Sequence, residues 1–221
     1  MKYNSSDSLP VGLLLTVTGG FLEAHTFLCR GKVFANCQTG NMVLFAMNLA
    51  EKEFTTALLY FFPILAFILG IFLTESIRSH FQDKPHIHWR QLVVAVEILG
   101  LFICIFIPCG KLDLLVNIII GFVCSMQVEA FRKFHDNPYA TTMCTGNLRS
   151  ASFHLYQSLH FSKGTSLKLA LQYFLIILLF MAGAILGSFF TTRFLTKALL
   201  LPCILLLIVI LLMHKRSESL R

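Results

Sequence analysis

Residues 34 to 50 read Phe34-Ala35-Asn36-Cys37-Gln38-Thr39-Gly40-Asn41-Met42-Val43-Leu44-Phe45-Ala46-Met47-Asn48-Leu49-Ala50, an apolar run with a polar Thr-Gly-Asn tripeptide near its start. The tripeptide returns as Thr145-Gly146-Asn147 in residues 139 to 160, a separation of 106 positions. At that same separation Glu23 meets Glu129, Ala24 meets Ala130 and Gly19 meets Ser125. A tripeptide and an acid recurring at one offset mark an internal repeat. Downstream, the small-residue ladder Ala66, Gly70, Thr74 recurs as Gly183, Gly187, Thr191, now separated by 117, and an insertion of about 11 residues around Gln157 to Lys168 accounts for the difference. The chain therefore reads as one membrane domain, 1 to 221, built of two copies of a unit, one at about 9 to 109 and one at about 114 to 213.

The composition says where such a unit works. Of 221 residues, 56% are apolar and 13% charged, with a mean hydropathy of +0.75, which excludes an ordinary soluble globule. A spanning helix takes ~20 residues of low charge. Runs at 9 to 29, 57 to 77, 92 to 109, 114 to 131, 169 to 192 and 198 to 213 reach or approach that length. Residues 34 to 50 and 139 to 160 are shorter or more polar. The expected fold is all-α: a polytopic membrane helical bundle of two pseudo-repeats, six spans plus two broken or re-entrant Thr-Gly-Asn helices. The net charge of +7 sits mostly between and after apolar runs, so it sets topology and does not indicate nucleic acid. If the two Thr-Gly-Asn segments enter and return, Lys and Arg divide 12 against 6 between the two sides, with both termini on the richer, cytoplasmic side; if all eight segments cross, the counts are nearly equal. The first arrangement makes the two copies opposite in orientation, a common plan among transporters.

Gly40-Asn41 and Gly146-Asn147 predict helix interruptions, with Asn as N-cap and helix resuming near Met42 and Leu148. Backbone N–H groups at such a break favour an anion or a polar ligand. Thr39, Gly40, Asn41, Thr145, Gly146 and Asn147 are therefore candidate substrate-binding residues, and Arg149, which matches Val43 in the first copy, would add a cation at a single site. The competing reading is that Thr and Asn bridge neighbouring helices. Glu23 shares a stripe with Thr16, Gly19, Gly20 and Thr26, and Glu129 follows Asn117, Gly121 and Ser125, so both acids face small and polar neighbours. They are the candidate proton-coupling residues, against the alternative of helix-end ion pairs with Arg30 and Lys32 or Arg132 and Lys133. Glu97 is deeper but lacks a counterpart at the repeat offset; Glu75 lies close to Arg78, as an interfacial charge would.

Other chemistry is weaker. Seven cysteines include no C-x-x-C pair, so neither a disulfide framework nor a zinc site is expected. His80, His86 and His88 in the polar loop from Arg78 to Arg90 supply too few ligands for a metal. Glu23 interrupts the first apolar run and no cleavage site follows, so it is not read as an export signal. No phosphate loop, H-E-x-x-H or nucleophile elbow is present, no catalytic set is selected, and no cofactor is expected.

Gly19-Gly20-Phe21-Leu22-Glu23-Ala24, Val33 to Asn41, Gln127-Val128-Glu129-Ala130-Phe131-Arg132-Lys133 and Asn137 to Arg149, with its Thr141-Thr142-Met143-Cys144, resemble the YoaK-type family of bacterial integral membrane proteins with a domain of unknown function (DUF1275, also UPF0700). The resemblance covers roughly residues 9 to 213 and implies a multi-pass protein of the bacterial cytoplasmic membrane, with no substrate or reaction attached. The function expected from the residues is a small-molecule secondary transporter, with an anion as one candidate substrate and a site between the Thr-Gly-Asn segments. Its alternatives are an intramembrane enzyme acting on a lipid-type substrate and a regulatory or assembly protein.

Overall fold

The computed structural model describes residues 9–82, 84, 88–134, 137–138, 141–142, 144–161 and 164–218. Among them run eight α-helices: α1 (Leu9–Cys29), α2 (Gln38–Ala50), α3 (Phe54–Phe81), α4 (Trp89–Ile105), α5 (Asp113–Ala130), α6 (Cys144–Phe161), α7 (Gly164–Phe194) and α8 (Leu200–Glu218). A 3-10 turn, Leu195–Leu199, leads into α8, and a two-residue antiparallel pairing of Lys133–Phe134 with Asn137–Pro138 follows α5. Four stretches are long and apolar enough to cross a bilayer: Leu9–Cys29, Phe54–Phe81, Asp113–Ala130 and Gly164–His214, the last holding both α7 and α8. Large apolar side chains such as Phe72, Leu178, Ile185 and Leu211 point outward from these helices, as hydrocarbon surroundings require.

Several sequence expectations change at their edges. The loop expected from Arg78 begins later, because α3 continues to Phe81; Pro85 and His86 lie outside the described residues. More consequential is the start of the two short helices. They begin at Gln38 and Cys144, not near Met42 and Leu148, so each Thr-Gly-Asn lies inside a first helical turn. Neither Gly40 nor Gly146 has a positive φ; the left-handed residues are upstream, at Gly31 (φ 78) and Lys32 (φ 58). That pair ends α1 and reverses the chain, which is where the conformational freedom of glycine is used.

After this reversal the chain runs back alongside α1. Phe34 stacks on Phe27, with ring centroids 5.0 Å apart. Two residues on, the Asn36 side chain donates to the Gly19 carbonyl at 3.3 Å. The segment has thus returned about three turns into the bundle before α2 begins. Thirteen residues at ~1.5 Å per residue make α2 about 20 Å long, short of a ~30 Å hydrocarbon core. It leads to α3, against which it packs.

Helix partners are exchanged between the halves. α1 packs on α7 and α8, whereas α5 packs on α3 and α4; α2 lies on α3 and α6 on α7. The tightest approaches occur at the two small-residue ladders. Ala66, Gly70 and Thr74 are buried on α3, and Gly183, Gly187 and Thr191 on α7. A Cβ at Gly183 would collide with the Val17 carbonyl, and one at Gly70 with the Phe122 carbonyl and the Ser125 hydroxyl. Backbones this close gain dispersion contacts that larger residues would prevent. The main apolar core lies among α1, α4, α5 and α8, with Val11, Leu15, Leu22, Leu101, Ile120 and Leu206 fully buried.

Arg30 closes the end of this core. Its side chain is the largest that is fully buried. It donates to the carbonyls of Cys104 (3.4 Å), Ile107 (2.8 Å) and Pro108 (3.1 Å) and pairs with Asp113 at 3.0 Å. Its own carbonyl accepts from Asn117 at 2.7 Å. One cation therefore satisfies carbonyls at the end of α4 and ties α1, α4 and α5 together.

Candidate functional site

Glu23 is the centre from which the site can be built. Its carboxylate accepts the backbone N–H of Asn36 at 2.8 Å and that of Cys37 at 3.0 Å. Cys37 is the N-cap residue of α2 and offers no capping bond of its own. A carboxylate from another helix therefore meets the orphan amides and the positive end of the α2 macrodipole. Cys144, the first residue of α6, lies within electrostatic range of both Glu23 and Cys37. The amino end of α6 therefore lies in the electrostatic neighbourhood of Glu23 and of the amino end of α2.

Around this point several polar groups are sealed inside. Gln127 on α5 donates to the Leu15 carbonyl (3.3 Å) and the Thr141 hydroxyl (3.0 Å). Thr142 packs its methyl on Gly19, where a Cβ would stand 2.8 Å from it. Leu15 and Gly19 are one helical turn apart on α1, so Asn36, Gln127, Thr141 and Thr142 gather on that turn. Asn36 and Gln127 are each 1% exposed and Thr142 is 3%. Their oxygens Asn36 Oδ1, Gln127 Oε1 and Thr142 Oγ1 are buried without a hydrogen-bond partner among the described residues, as is Thr18 Oγ1 on the same stretch of α1. The Cys124 thiol lies beside Asn36 and within range of both Glu23 and Glu97. Glu97, on α4, is fully buried and neither carboxyl oxygen has a hydrogen-bond partner among the described residues.

The residues singled out in the sequence divide. Asn41 is fully buried, but its amide is spent on the entering chain: it donates to the Phe34 carbonyl (2.8 Å) and to Gln38 Oε1 (3.1 Å), and accepts the Phe34 N–H (3.2 Å). It clamps the segment before α2 and is not that helix's N-cap. Asn147 is buried in the matching turn of α6. Thr39, Thr145, Gly146 and Arg149 are exposed, and Gly40 is half-buried beneath the Phe34 ring. A Cβ at Gly146 would meet open space. Glu129 is at the far end of α5, paired with Arg132 at 3.0 Å, and Glu75 joins the same exposed group through Arg78 (3.2 Å) and Arg132 (3.6 Å). Glu23 and Glu129 are therefore apart, and Glu23 alone reaches the junction. No group of three metal-ligating side chains occurs among the described residues.

The family described as "Protein of unknown function (DUF1275)" matches residues 11–212. The chain belongs to the DUF1275 family. A relative within reach is the UPF0700 transmembrane protein YoaK of Bacillus subtilis (strain 168), 26% identical over 182 residues that cover 78% of this chain and 79% of the relative. No solved structure matches this DUF1275 chain. It is a membrane protein by its helices and by its family.

Arg30, Asn36, Gln127 and Thr142 were not selected as functional from sequence. All four lie within the residues that the family matches. Arg30 has the look of a basic residue at a helix end, and its partner Asp113 is 83 positions away.

Proposed function

We propose that this DUF1275 protein is a small-molecule permease of the bacterial cytoplasmic membrane, with its substrate site at the junction of α2 and α6. One observation carries the reading: a carboxylate from α1 meets the amino end of α2, with the start of α6 within electrostatic range of it, beside buried polar groups in an otherwise apolar bundle. Backbone that is not helical at membrane depth is found where it is buried in protein or lines a cavity, and half-helix ends at a repeat interface are a recurring means of binding solutes. The reciprocal pairing of α1 with α7 and α5 with α3 supports a two-copy origin, and the return of the chain along α1 supports six crossings, with α2 and α6 each entering and returning from opposite faces of the membrane. In this reading the substrate contacts move from the exposed Thr39, Thr145 and Arg149 to Asn36, Gln127 and Thr142. Asn41 and Asn147 hold the entering segments in place.

Glu23 is the coupling acid of the proposal. Protonating it removes the negative charge that both helix ends face, so proton binding and site loading are linked. Glu129, already paired with Arg132, has no such leverage. In proteoliposomes with an imposed pH gradient, wild-type protein carries substrate-dependent proton flux, Glu23→Gln abolishes it and Glu129→Gln keeps it. Equal flux in wild type and Glu23→Gln overturns the coupling role. No flux for any tested solute overturns the permease reading.

A further inference from the structure

The chemistry of the sealed oxygens narrows the substrate class. Half-helix amino ends ordinarily favour an anion. Here that anion is part of the chain, because the Glu23 carboxylate already accepts the Asn36 and Cys37 amides and faces the start of α6. A second anion would meet Glu23 and Glu97 with no basic side chain among the described residues to offset them. Arg30 is committed to Asp113 and three carbonyls, Arg132 to Glu129, and Arg149 is exposed.

What the junction still offers are acceptors. The amide orientations of Asn36 and Gln127 are set by their contacts, since each must turn its nitrogen to a backbone carbonyl, Gly19 or Leu15. Their oxygens are consequently turned away and unpaired, together with Thr142 Oγ1. Glu97 lies near the same level. α4 and α5 run antiparallel, as their joined ends at Arg30 require, and Gly100 packs against Ile119 and Val123. Glu97, one turn earlier on α4, then stands against the later part of α5, consistent with its proximity to Cys124, whose face of the helix also carries Gln127. A buried, unpartnered carboxyl requires a neutralising proton or cation, and buried acceptor oxygens require donors or a metal ion. Hard monovalent cations and ammonium-type groups are bound by such neutral oxygens and carboxylates.

We propose that the junction binds a small monovalent cation, alkali or ammonium in type, through Asn36 Oδ1, Gln127 Oε1 and Thr142 Oγ1, with Glu97 supplying the compensating charge. This rests on the permease reading for its role as substrate or coupling ion, but the binding itself is independent of transport. Thermal unfolding of the full chain in detergent, at constant ionic strength in N-methylglucamine chloride, is followed while Na⁺, K⁺, ammonium or methylammonium replaces the bulky cation. The midpoint rises and saturates with at least one of these four. Na⁺ or K⁺ alone identifies an alkali-ion site, and ammonium or methylammonium alone identifies a donor-type site.

Thr142→Val and Glu97→Gln keep side-chain shape, and each moves half-saturation up by about tenfold, the equivalent of one lost charged or ion-bound contact. Two variants on different elements keep the test informative if one fails to fold. A flat response to all four cations, half-saturation in both variants equal to that of the wild type, or stabilisation that follows the anion instead overturns the proposal. Saturable cation binding without flux of any solute leaves the site standing and removes the permease reading. Flux competed by anions, without a saturable response of the midpoint to any of the four cations, leaves the permease reading standing and removes the site.

Discussion

Replacing Arg30 with alanine lowers the unfolding free energy by about 3–5 kcal/mol, the cost of breaking a buried ion pair and leaving its partners unsatisfied. The loss is large because one side chain serves four acceptors. Ile107 and Pro108 lose the Arg30 donor for their carbonyls, Cys104 keeps the Ile107 N–H at 3.3 Å, and Asp113 keeps the Gly110 N–H at 2.9 Å. Arg30→Lys restores the charge without the planar fork and recovers less than half of the loss, because an ammonium cannot meet the spread of these oxygens. Arg78→Ala is the contrast. Its pair with Glu75 is exposed on both sides, and such pairs are worth ~1 kcal/mol or less. Unfolding in detergent, read by the loss of helical signal, separates the three variants. Similar destabilisation by Arg30→Ala and Arg78→Ala would contradict the latch.

Gly20→Val and Gly183→Val separate α1 from α7 and cost at least ~3 kcal/mol each, at or beyond the upper end for over-packing. A Cβ at Gly20 collides with the Phe180 carbonyl, and one at Gly183 with the Val17 carbonyl. In both cases the obstacle is backbone, which cannot rotate out of the way as a side chain does. Gly146→Ala behaves in the opposite sense. It has open space for its Cβ and a helical conformation, so alanine there changes stability by no more than ~1 kcal/mol, in the stabilising direction. The same unfolding assay ranks the series. Tolerance of Gly20→Val and Gly183→Val would mean that α1 and α7 do not meet at these residues.

The recurring Thr-Gly-Asn tripeptides and small-residue ladders read from the sequence fall on α2 and α6 and on the buried faces of α3 and α7, because these depend on residue type at fixed spacing. The start of α2 was misplaced for a definable reason. Local capping rules take Asn41 as the cap, whereas the amides are met by Glu23, which lies on another helix, and Asn41 is drawn back to Phe34. Glu23 and Glu129 look equivalent at the repeat offset. They differ only in three dimensions, where one reaches the entering chain and the other an arginine one turn away. Arg30 illustrates the same limit: a basic residue after an apolar helix reads as an interfacial charge until Asp113 and the end of α4 are folded against it. The acceptor oxygens of Asn36, Gln127 and Thr142 become a set only because the chain doubles back along α1 after Gly31-Lys32. No local pattern encodes that return.

The meeting of the amino ends of α2 and α6 at Glu23 is the central claim. Cys37 and Cys144, the N-cap residue of α2 and the first residue of α6, test it directly, since both are native free thiols at the facing ends. In a background whose other five cysteines are replaced, a short bifunctional maleimide is added to membranes and the product is read as a shift in mobility after cleavage of the chain between α2 and α6. The account predicts that the two fragments remain joined, and that replacing either cysteine releases them. Full single labelling of both thiols, with the fragments separating under the same conditions, would contradict it.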